Sequence, residues 1–216
     1  PIIEALGHPN LHLHKFSGEV KLEESLTINV LSIFDETNWT PPSDTDSINI
    51  ALYHGAVNNC QTDLGWIMEH GDHNIDIFDN FDYAMLGDIH KTNQALNDSG
   101  TIRYCGSTIQ QNHGETNDKG FLVWDIDSKT DYTVEHHILK NPKPFTTIEL
   151  TPKGNIPRKL DISEGARLRV VTRHKVSLDK IRRVMDIAKS RFKPESLSFV
   201  NKAGLKRDSV NIDYLG

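Results

Sequence analysis

The chain has 216 residues, of which 37% are hydrophobic, and a formal net charge of −6 at pH 7. This composition suffices for a packed core, and the apolar runs are far shorter than the roughly 20 residues of a membrane-spanning helix. Cys60 and Cys105 show no CxxC or Cys/His spacing, which argues against a disulfide framework and against a structural zinc site. We therefore expect a soluble, cytoplasmic protein with reduced thiols.

The start of the chain predicts a fragment of a longer protein. Pro1 stands where a Met is usual, and the helix-like stretch PIIEAL follows at once. No basic and then apolar signal peptide opens the chain. We expect the sequence to begin inside a domain.

Predicted strands dominate the first part of the chain. Apolar, β-branched runs occupy residues 26–34, 48–54 and 81–87, with further strands in GTIRYCGSTIQ and KGFLVWDID. The stretch TDLGWIMEHG, residues 62–71, is predicted as a helix that Gly71 ends. The pattern favours a sheet or a sandwich in an α/β (α+β) protein.

The charge is divided unevenly along the chain. Residues 1–140 contain 7 Lys and Arg against 22 Asp and Glu, whereas residues 141–216 contain 17 against 8. An acidic part suits divalent cations or solvation alone, and a basic part suits phosphate-rich polymers or an ordinary solvated surface. The proline pair in NPKP, residues 141–144, predicts two domains, 1–143 and 144–216.

Polar side chains follow two of the predicted strands where each ends. His54 closes INIALYHG, and Asp88 and His90 follow the strand in FDYAMLGDIH. This mixture of nitrogen and oxygen donors suits manganese, iron or zinc. The other interpretation is a capped loop and a satisfied core histidine, and spacing alone favours it because a lone D-x-H is a weak signal.

Four stretches occur in a fixed order along the chain, namely IALYHGAV, YAMLGDIHKTNQ, IRYCGSTIQQNHGE and KGFLVWDI. Together they resemble the C-terminal portion of the calcineurin-like metallophosphoesterase domain, and more closely the SbcD-type nuclease subunit of DNA double-strand-break repair complexes from phages and bacteria. The resemblance implies a β-sandwich nuclease portion over residues 1–143 and a small α/β capping domain that binds DNA over residues 144–216. It also implies two Mn²⁺ ions, with Mg²⁺ as an alternative, and exonuclease or endonuclease activity.

Carried over, His54 is the strand-end metal ligand, and Asp88 and His90 occupy the two positions of the family's Gly-His-x-His motif. Asp88 replaces an imidazole by a carboxylate, which favours Mn²⁺ or Mg²⁺. The family's early motifs, Asp-x-His, Gly-Asp-x-x-Asp and Gly-Asn-His-Asp/Glu, occur nowhere before His54. The catalytic residues are therefore expected upstream of residue 1, and this chain alone is expected to be inactive.

Three further residues are candidates for contact with substrate phosphate or for supporting the ligands, namely His113, Lys91 and Arg103. His12 and His14 alternate on a possible strand, and His70, Asp72 and His73 share a loop. Nothing in their surroundings brings a further ligand, so we interpret them as a solvated strand face and a surface loop.

The basic part predicts a compact α/β unit. Strands are predicted at residues 166–172 and 196–201, with a helix capped by Ser177 between them. Its apolar face is predicted to contain Leu178, Ile181, Val184, Met185, Ala188 and Phe192, and its candidate DNA-binding cations are Lys180, Arg182, Arg183, Lys189 and Arg191. A cationic helix face is often only solvated, so the two interpretations stay open.

The sequence thus predicts part of a metal-dependent DNA nuclease that acts with an SbcC-type ATPase and forms a homodimer in the complete protein. The alternative is a non-catalytic DNA-binding or partner-docking subunit that kept the fold. A phosphatase acting on small esters is disfavoured by the net charge of +9 on residues 141–216.

Overall fold

The computed structural model describes residues 7–204. These residues form two compact units: the first contains residues up to 108 and Asp118–Leu139, and the second contains Ile109–Asn117 and the chain from Lys140 onward. The sequence places the division after residue 143 and assigns 109–117 to the first domain. The structure assigns this segment to the second unit, where the Gln110 side chain bonds the backbone N–H and carbonyl of Phe145. No helix within residues 7–204 is long and apolar enough to cross a membrane.

The first unit is built on a six-stranded sheet with the order β1-β2-β3-β4-β6-β5. Strands β2, β3, β4 and β6 run parallel, while β1 and β5 are antiparallel edge strands. The strands are β1 (Gly18–Glu23), β2 (Leu26–Leu31), β3 (Ile48–His54), β4 (Tyr83–Gly87), β5 (Gln94–Ala95) and β6 (Ile102–Tyr104). The connections between the parallel strands are loops with short 3₁₀ turns, Glu36–Asn38 and Ile75–Phe78.

One face of this sheet is the core of the first unit. Alternate residues of the parallel strands point to this face, as period-2 geometry requires. They pack with loop residues in a cluster of buried side chains that includes Leu31, Ala51, Tyr53, Phe78, Ala84, Leu86 and Tyr104. The long connection from β3 to β4 therefore substitutes for a crossover helix by burying Phe78.

The opposite face of the sheet is apolar but less buried. Register places Val30, Leu52 and Met85 side by side, and all three are half-buried. They line a groove of about 800 Å³ that also reaches His54. The aliphatic runs that predicted buried strands therefore supply two apolar faces. The second face is open at this groove, but Ile50 and Tyr83 on the same face are buried.

The predicted helix over residues 62–71 is wrong. The segment forms a turn in which Gln61 pairs with Ile67 and Gly65 takes a φ of +80°. Leu64 and Trp66 are exposed, so no apolar stripe of the segment is buried against the unit. A glycine with positive φ inside the segment and the absence of a buried face both disfavour helix.

A two-stranded antiparallel hairpin completes the first unit. It consists of β7 (Gly120–Ile126) and β8 (Tyr132–Ile138). Trp124 and Tyr132 stack on each other, and both meet the buried Tyr83 edge to face. The aromatic contacts attach the hairpin to β4.

The second unit is a three-stranded parallel sheet with one helix packed against it. Its strands are β9 (Phe145–Glu149), β10 (Arg167–Thr172) and β11 (Ser196–Asn201), in the order β11-β10-β9, and the helix is α1 (Leu178–Phe192). Ser177 caps α1 by accepting a hydrogen bond from the backbone N–H of Lys180, as predicted. Val184, Ala188 and Phe192 are buried, but Leu178 is 72% exposed because it precedes the part of the helix that covers the sheet.

The predicted mixture of α and β structure is confirmed. The described residues contain eleven strands and one α-helix, arranged in separate sheets.

Candidate functional site

Two of the predicted metal ligands meet at one edge of the six-stranded sheet. His54 is the last residue of β3, and Asp88 directly follows β4, its parallel neighbour. The carboxyl ends of parallel strands lie at the same edge, so both side chains project beyond it. His54 Nε2 lies 3.9 Å from Asp88 Oδ1, and the side chains are 76% and 46% exposed. The pair is accessible to solvent and to a substrate.

Local backbone features place the two side chains. Asp88 has a φ of +90°, which is unusual for a residue other than glycine and stores strain of the kind found at functional sites. Gly87 is paired in register with His54, and a Cβ built on Gly87 would lie 2.6 Å from His54 Nδ1. Glycine at position 87 therefore leaves the space that the imidazole occupies.

Tyr104 fixes the turn that follows His54. Its hydroxyl donates to the carbonyl of Gly55 at 2.7 Å and accepts from the backbone N–H of Val57 at 2.9 Å. Burial raises the pKa of Tyr104, so the phenol keeps its proton as the donor at neutral pH. The sequence does not point to Tyr104, because a tyrosine inside a strand pattern does not indicate which distant backbone groups its hydroxyl will bind.

Gly87→Ala is expected to weaken Mn²⁺ binding roughly tenfold while leaving the fold intact, since the new methyl group displaces a ligand side chain. The atom it meets is on the exposed His54 ring, which can move, so thermal stability should change little. Isothermal titration with Mn²⁺ and thermal unfolding monitored by circular dichroism check the two parts separately. Unchanged Mn²⁺ affinity in this variant would show that the His54 ring position does not matter for binding.

The donor set suits one divalent ion held by two protein ligands. Metal–ligand bonds of about 2.0–2.2 Å place two ligands at right angles about 3 Å apart and two opposite ligands about 4.3 Å apart. The separation of 3.9 Å between His54 and Asp88 lies within this range. A carboxylate with an imidazole is a donor mixture that suits manganese, iron or zinc. Within residues 7–204 no group of three His, Cys, Asp or Glu side chains is placed to hold an ion.

The backbone of His90 is tied to a buried lysine. Its carbonyl accepts a hydrogen bond from Lys119 Nζ at 2.6 Å, and its side chain is partly buried. Of the three predicted ligands, His54 and Asp88 form a close pair. His90 does not join them in a group of three possible ligands within residues 7–204.

Lys91 and Arg103 both contact loops of the first unit. The Lys91 ammonium donates to the side-chain carbonyl of Gln61. Arg103 donates to the backbone carbonyl of Gly100 at 3.2 Å and to Asn93 Oδ1 at 2.6 Å. The Arg103 bonds fix the loops that precede β5 and β6, and contact with a substrate stays a prediction for both residues.

His113 belongs to the second unit, where it meets the Phe145 ring edge to face and lies 3.4 Å from Thr147 Oγ1. Burial, with a smaller contribution from the charge of Arg169, lowers the pKa of His113 to about 4. The imidazole is therefore neutral at physiological pH and can accept a hydrogen bond.

This lowered pKa predicts a pH dependence of stability. In the unfolded chain His113 titrates near 6.5, whereas in the folded chain it titrates near 4, so the unfolded state binds more protons between these values. The contribution of His113 is present above pH 6.5 and is lost as the pH falls toward 4. Urea unfolding of wild type and His113→Gln at pH 4.5 to 7.5 should show a shallower pH slope in the variant. Parallel slopes would contradict this assignment.

The helix of the second unit carries a cationic groove along one flank. The groove has a volume of about 320 Å³ and is lined by Asn155, Ile156, Lys180, Arg183, Val184, Ile187 and Arg191. At 100° per residue, positions 180, 183, 187 and 191 fall on one flank of α1, and Arg182 and Lys189 fall on the opposite flank. The structure thus divides the five predicted DNA-binding cations into two sets.

Each of the two sets contains one cation that already has a partner. Arg182 lies 3.7 Å from Asp179, and Arg191 donates to the carbonyl of Arg158 at 3.2 Å while stacking on the Phe192 ring. Arg183 is exposed, and Lys180 is partly buried. They are the cations of the groove best placed to bind a new anion.

Comparisons with known proteins relate most of the chain to a short part of a viral protein. No protein-family model matches the chain. An uncharacterized protein of Acanthamoeba polyphaga mimivirus is 31% identical over 172 residues, which cover 74% of this chain and 12% of the relative. The chain therefore corresponds to about an eighth of the length of this relative.

Proposed function

We propose that this chain is part of a metal-dependent phosphodiesterase that acts on DNA, in which His54, Asp88 and His90 hold divalent ions. The observation that carries the proposal is the convergence of His54 and Asp88, 3.9 Å apart, beyond adjacent parallel strands. The strained backbone of Asp88 and the space left by Gly87 support it, because both serve the placement of these two side chains.

The chemistry of the proposed reaction divides between the ion and the chain. When bound, the ion supplies positive charge that polarises a phosphoryl oxygen. His54 and Asp88 would hold the ion at an edge of the sheet that is open to solvent, where a phosphodiester can approach. The Tyr104 bonds to Gly55 and Val57 hold the turn after β3 so that the imidazole need not reorganise.

DNA is the proposed substrate because of the groove on α1. Lys180, Arg183 and Arg191 line it, and DNA contacts of this kind are made mainly to phosphate and are insensitive to sequence. Ile156 and Ile187 supply an apolar wall between the cations. An SbcC-type ATPase partner and a homodimer remain part of the proposal on the resemblance alone.

A second candidate function is a non-catalytic DNA-binding or partner-docking subunit. The observation that favours it is that residues 7–204 contain no group of three metal donors. Both candidates share the groove on α1, so they differ only at the edge that carries His54 and Asp88.

The experiment that separates them is a nuclease assay on linear duplex DNA with Mn²⁺. We expect little hydrolysis by the chain itself, because two cooperating ions need a bridging carboxylate and the early family motifs do not occur before His54. The chain is then fused to a segment that carries those motifs. Hydrolysis by the fusion that is lost in His54→Ala supports the nuclease. A folded fusion that binds DNA without hydrolysing it supports the binding subunit.

Robust hydrolysis by the chain itself, lost in His54→Ala, would show that other side chains complete the site. In that case variants at His113 and at the His70 to His73 loop identify them.

A further inference from the structure

Lys119 is a buried cation within the first unit. It is 2% exposed, and its ammonium lies 2.6 Å from Asp63 Oδ2 and donates at 2.6 Å to the carbonyl of His90. The Asp63 side chain is itself only 6% exposed. A buried charge is retained only where its partners compensate for lost hydration, and these two acceptors contribute to that compensation.

The groups that meet at Lys119 come from three separate parts of the chain. Asp63 belongs to the turn around Gly65, His90 belongs to the turn after β4, and Lys119 directly precedes β7. The segment after β6 joins the same arrangement, since Ser107 donates its backbone N–H to the His90 carbonyl at 3.4 Å. The carbonyl of His90 is therefore the common acceptor of two donors.

The turn after β4 needs such an anchor because its backbone is strained. Asp88 has a φ of +90°, and a residue held in this region persists only when its surroundings determine it. The Leu86 carbonyl fixes one side of Asp88 by accepting from the backbone N–H of Cys105 at 3.1 Å. The His90 carbonyl, bonded to Lys119, fixes the other side.

We propose that Lys119 is a positioning residue, which through Asp63 and the His90 carbonyl holds the strained turn that presents the Asp88 carboxylate to His54. The expected effect on Mn²⁺ affinity rests on the proposed metal site, whereas the contacts of Lys119 are independent of that proposal. Its chemistry is a charge-assisted hydrogen bond that orients a ligand-bearing loop, a role for which loss of the bond typically lowers metal affinity about 10- to 100-fold.

The test uses the whole chain and three variants. Lys119→Met alone leaves the Asp63 carboxylate buried without its ammonium and is expected to lower the melting temperature strongly. The double variant Lys119→Met with Asp63→Leu replaces the pair by apolar groups of similar size and should recover most of that loss. Lys129→Met is the matched control, because Lys129 pairs with Asp82 at 3.3 Å and lies outside this arrangement.

Two readouts are compared between the recovered double variant and wild type. Mn²⁺ affinity should fall at least tenfold in the double variant, and backbone amides of residues 88–91 should exchange faster with solvent. Lys129→Met should match wild type in both. A double variant with wild-type stability, affinity and exchange would overturn the positioning role.

The two proposals fail in different ways. If wild type binds no Mn²⁺, the proposed metal site fails, and the amide exchange of residues 88–91 alone decides the role of Lys119. If wild type binds Mn²⁺ and the double variant binds it equally well, the metal site stands and the positioning role fails.

Discussion

Asp88→Ala is expected to lower the Mn²⁺ affinity of the chain by on the order of 100-fold. Loss of a residue that only supports a metal ligand lowers metal affinity about 10- to 100-fold, and loss of the ligand itself should cost at least as much. Asp88 and His54 are the two donors that the structure brings together, so removing one leaves a single protein ligand. Asp88→His should keep a substantial part of the affinity, because an imidazole also binds Mn²⁺. Titration calorimetry or the electron paramagnetic resonance of free Mn²⁺ gives the three affinities.

The matched control is Asp98→Ala, which removes the same charge from an exposed loop position of the first unit. It should leave the affinity unchanged, since long-range attraction between exposed charges is screened by salt. Equal and complete loss in Asp88→Ala and Asp88→His would mean that Asp88 does something other than coordinate. Wild-type affinity in Asp88→Ala would remove it from the site.

Reversing two cations of the groove, Lys180→Glu with Arg183→Glu, is expected to weaken DNA binding on the order of 10- to 100-fold at moderate salt. Each lost phosphate contact lowers the slope of log affinity against log salt by roughly one unit, so the slope should fall by about two. The effect should be similar for unrelated DNA sequences. Fluorescence anisotropy at several salt concentrations measures affinity and slope together.

The control is Arg182→Glu with Lys189→Glu, which makes the same change of charge on the opposite flank of α1. Because these two cations lie outside the groove, the control should weaken binding much less than the groove variant. Equal weakening by both variants would show that the helix attracts DNA through net charge alone. Wild-type affinity and slope in the groove variant would make the flank an ordinary solvated surface.

The sequence predicts those parts of the fold in which local pattern and tertiary environment agree. The runs INIALYH and YAMLG form β3 and β4, and their neighbouring ends bring His54 and Asp88 together. The Ser177 cap and the apolar spacing of α1 likewise agree with the observed helix. In each case residue type, periodicity and terminating residue favour the same structure.

Other parts of the fold depend on contacts that leave no local pattern. The stretch TDLGWIMEHG has apolar residues at helical spacing, but its shape is set by pairing around Gly65 and by the hydrogen bond that Lys119 donates to Asp63. Strand β1, with the sequence GEVKLE, is mostly polar because it is an exposed edge strand that exists through pairing with β2. Lys119 and Tyr104 act on segments far away in sequence, so their roles appear only in three dimensions.

The most direct test of the proposed metal site is where Mn²⁺ binds, which paramagnetic broadening of backbone amide signals reports residue by residue. A titration of the isotope-labelled chain is predicted to broaden residues 53–55 and 87–90 first, with one weak dissociation constant shared by all of them. His54→Ala should abolish this selective broadening. Broadening that starts at the His70 to His73 loop, or that spreads evenly over the acidic surface of the first unit, would contradict a metal site formed by His54 and Asp88.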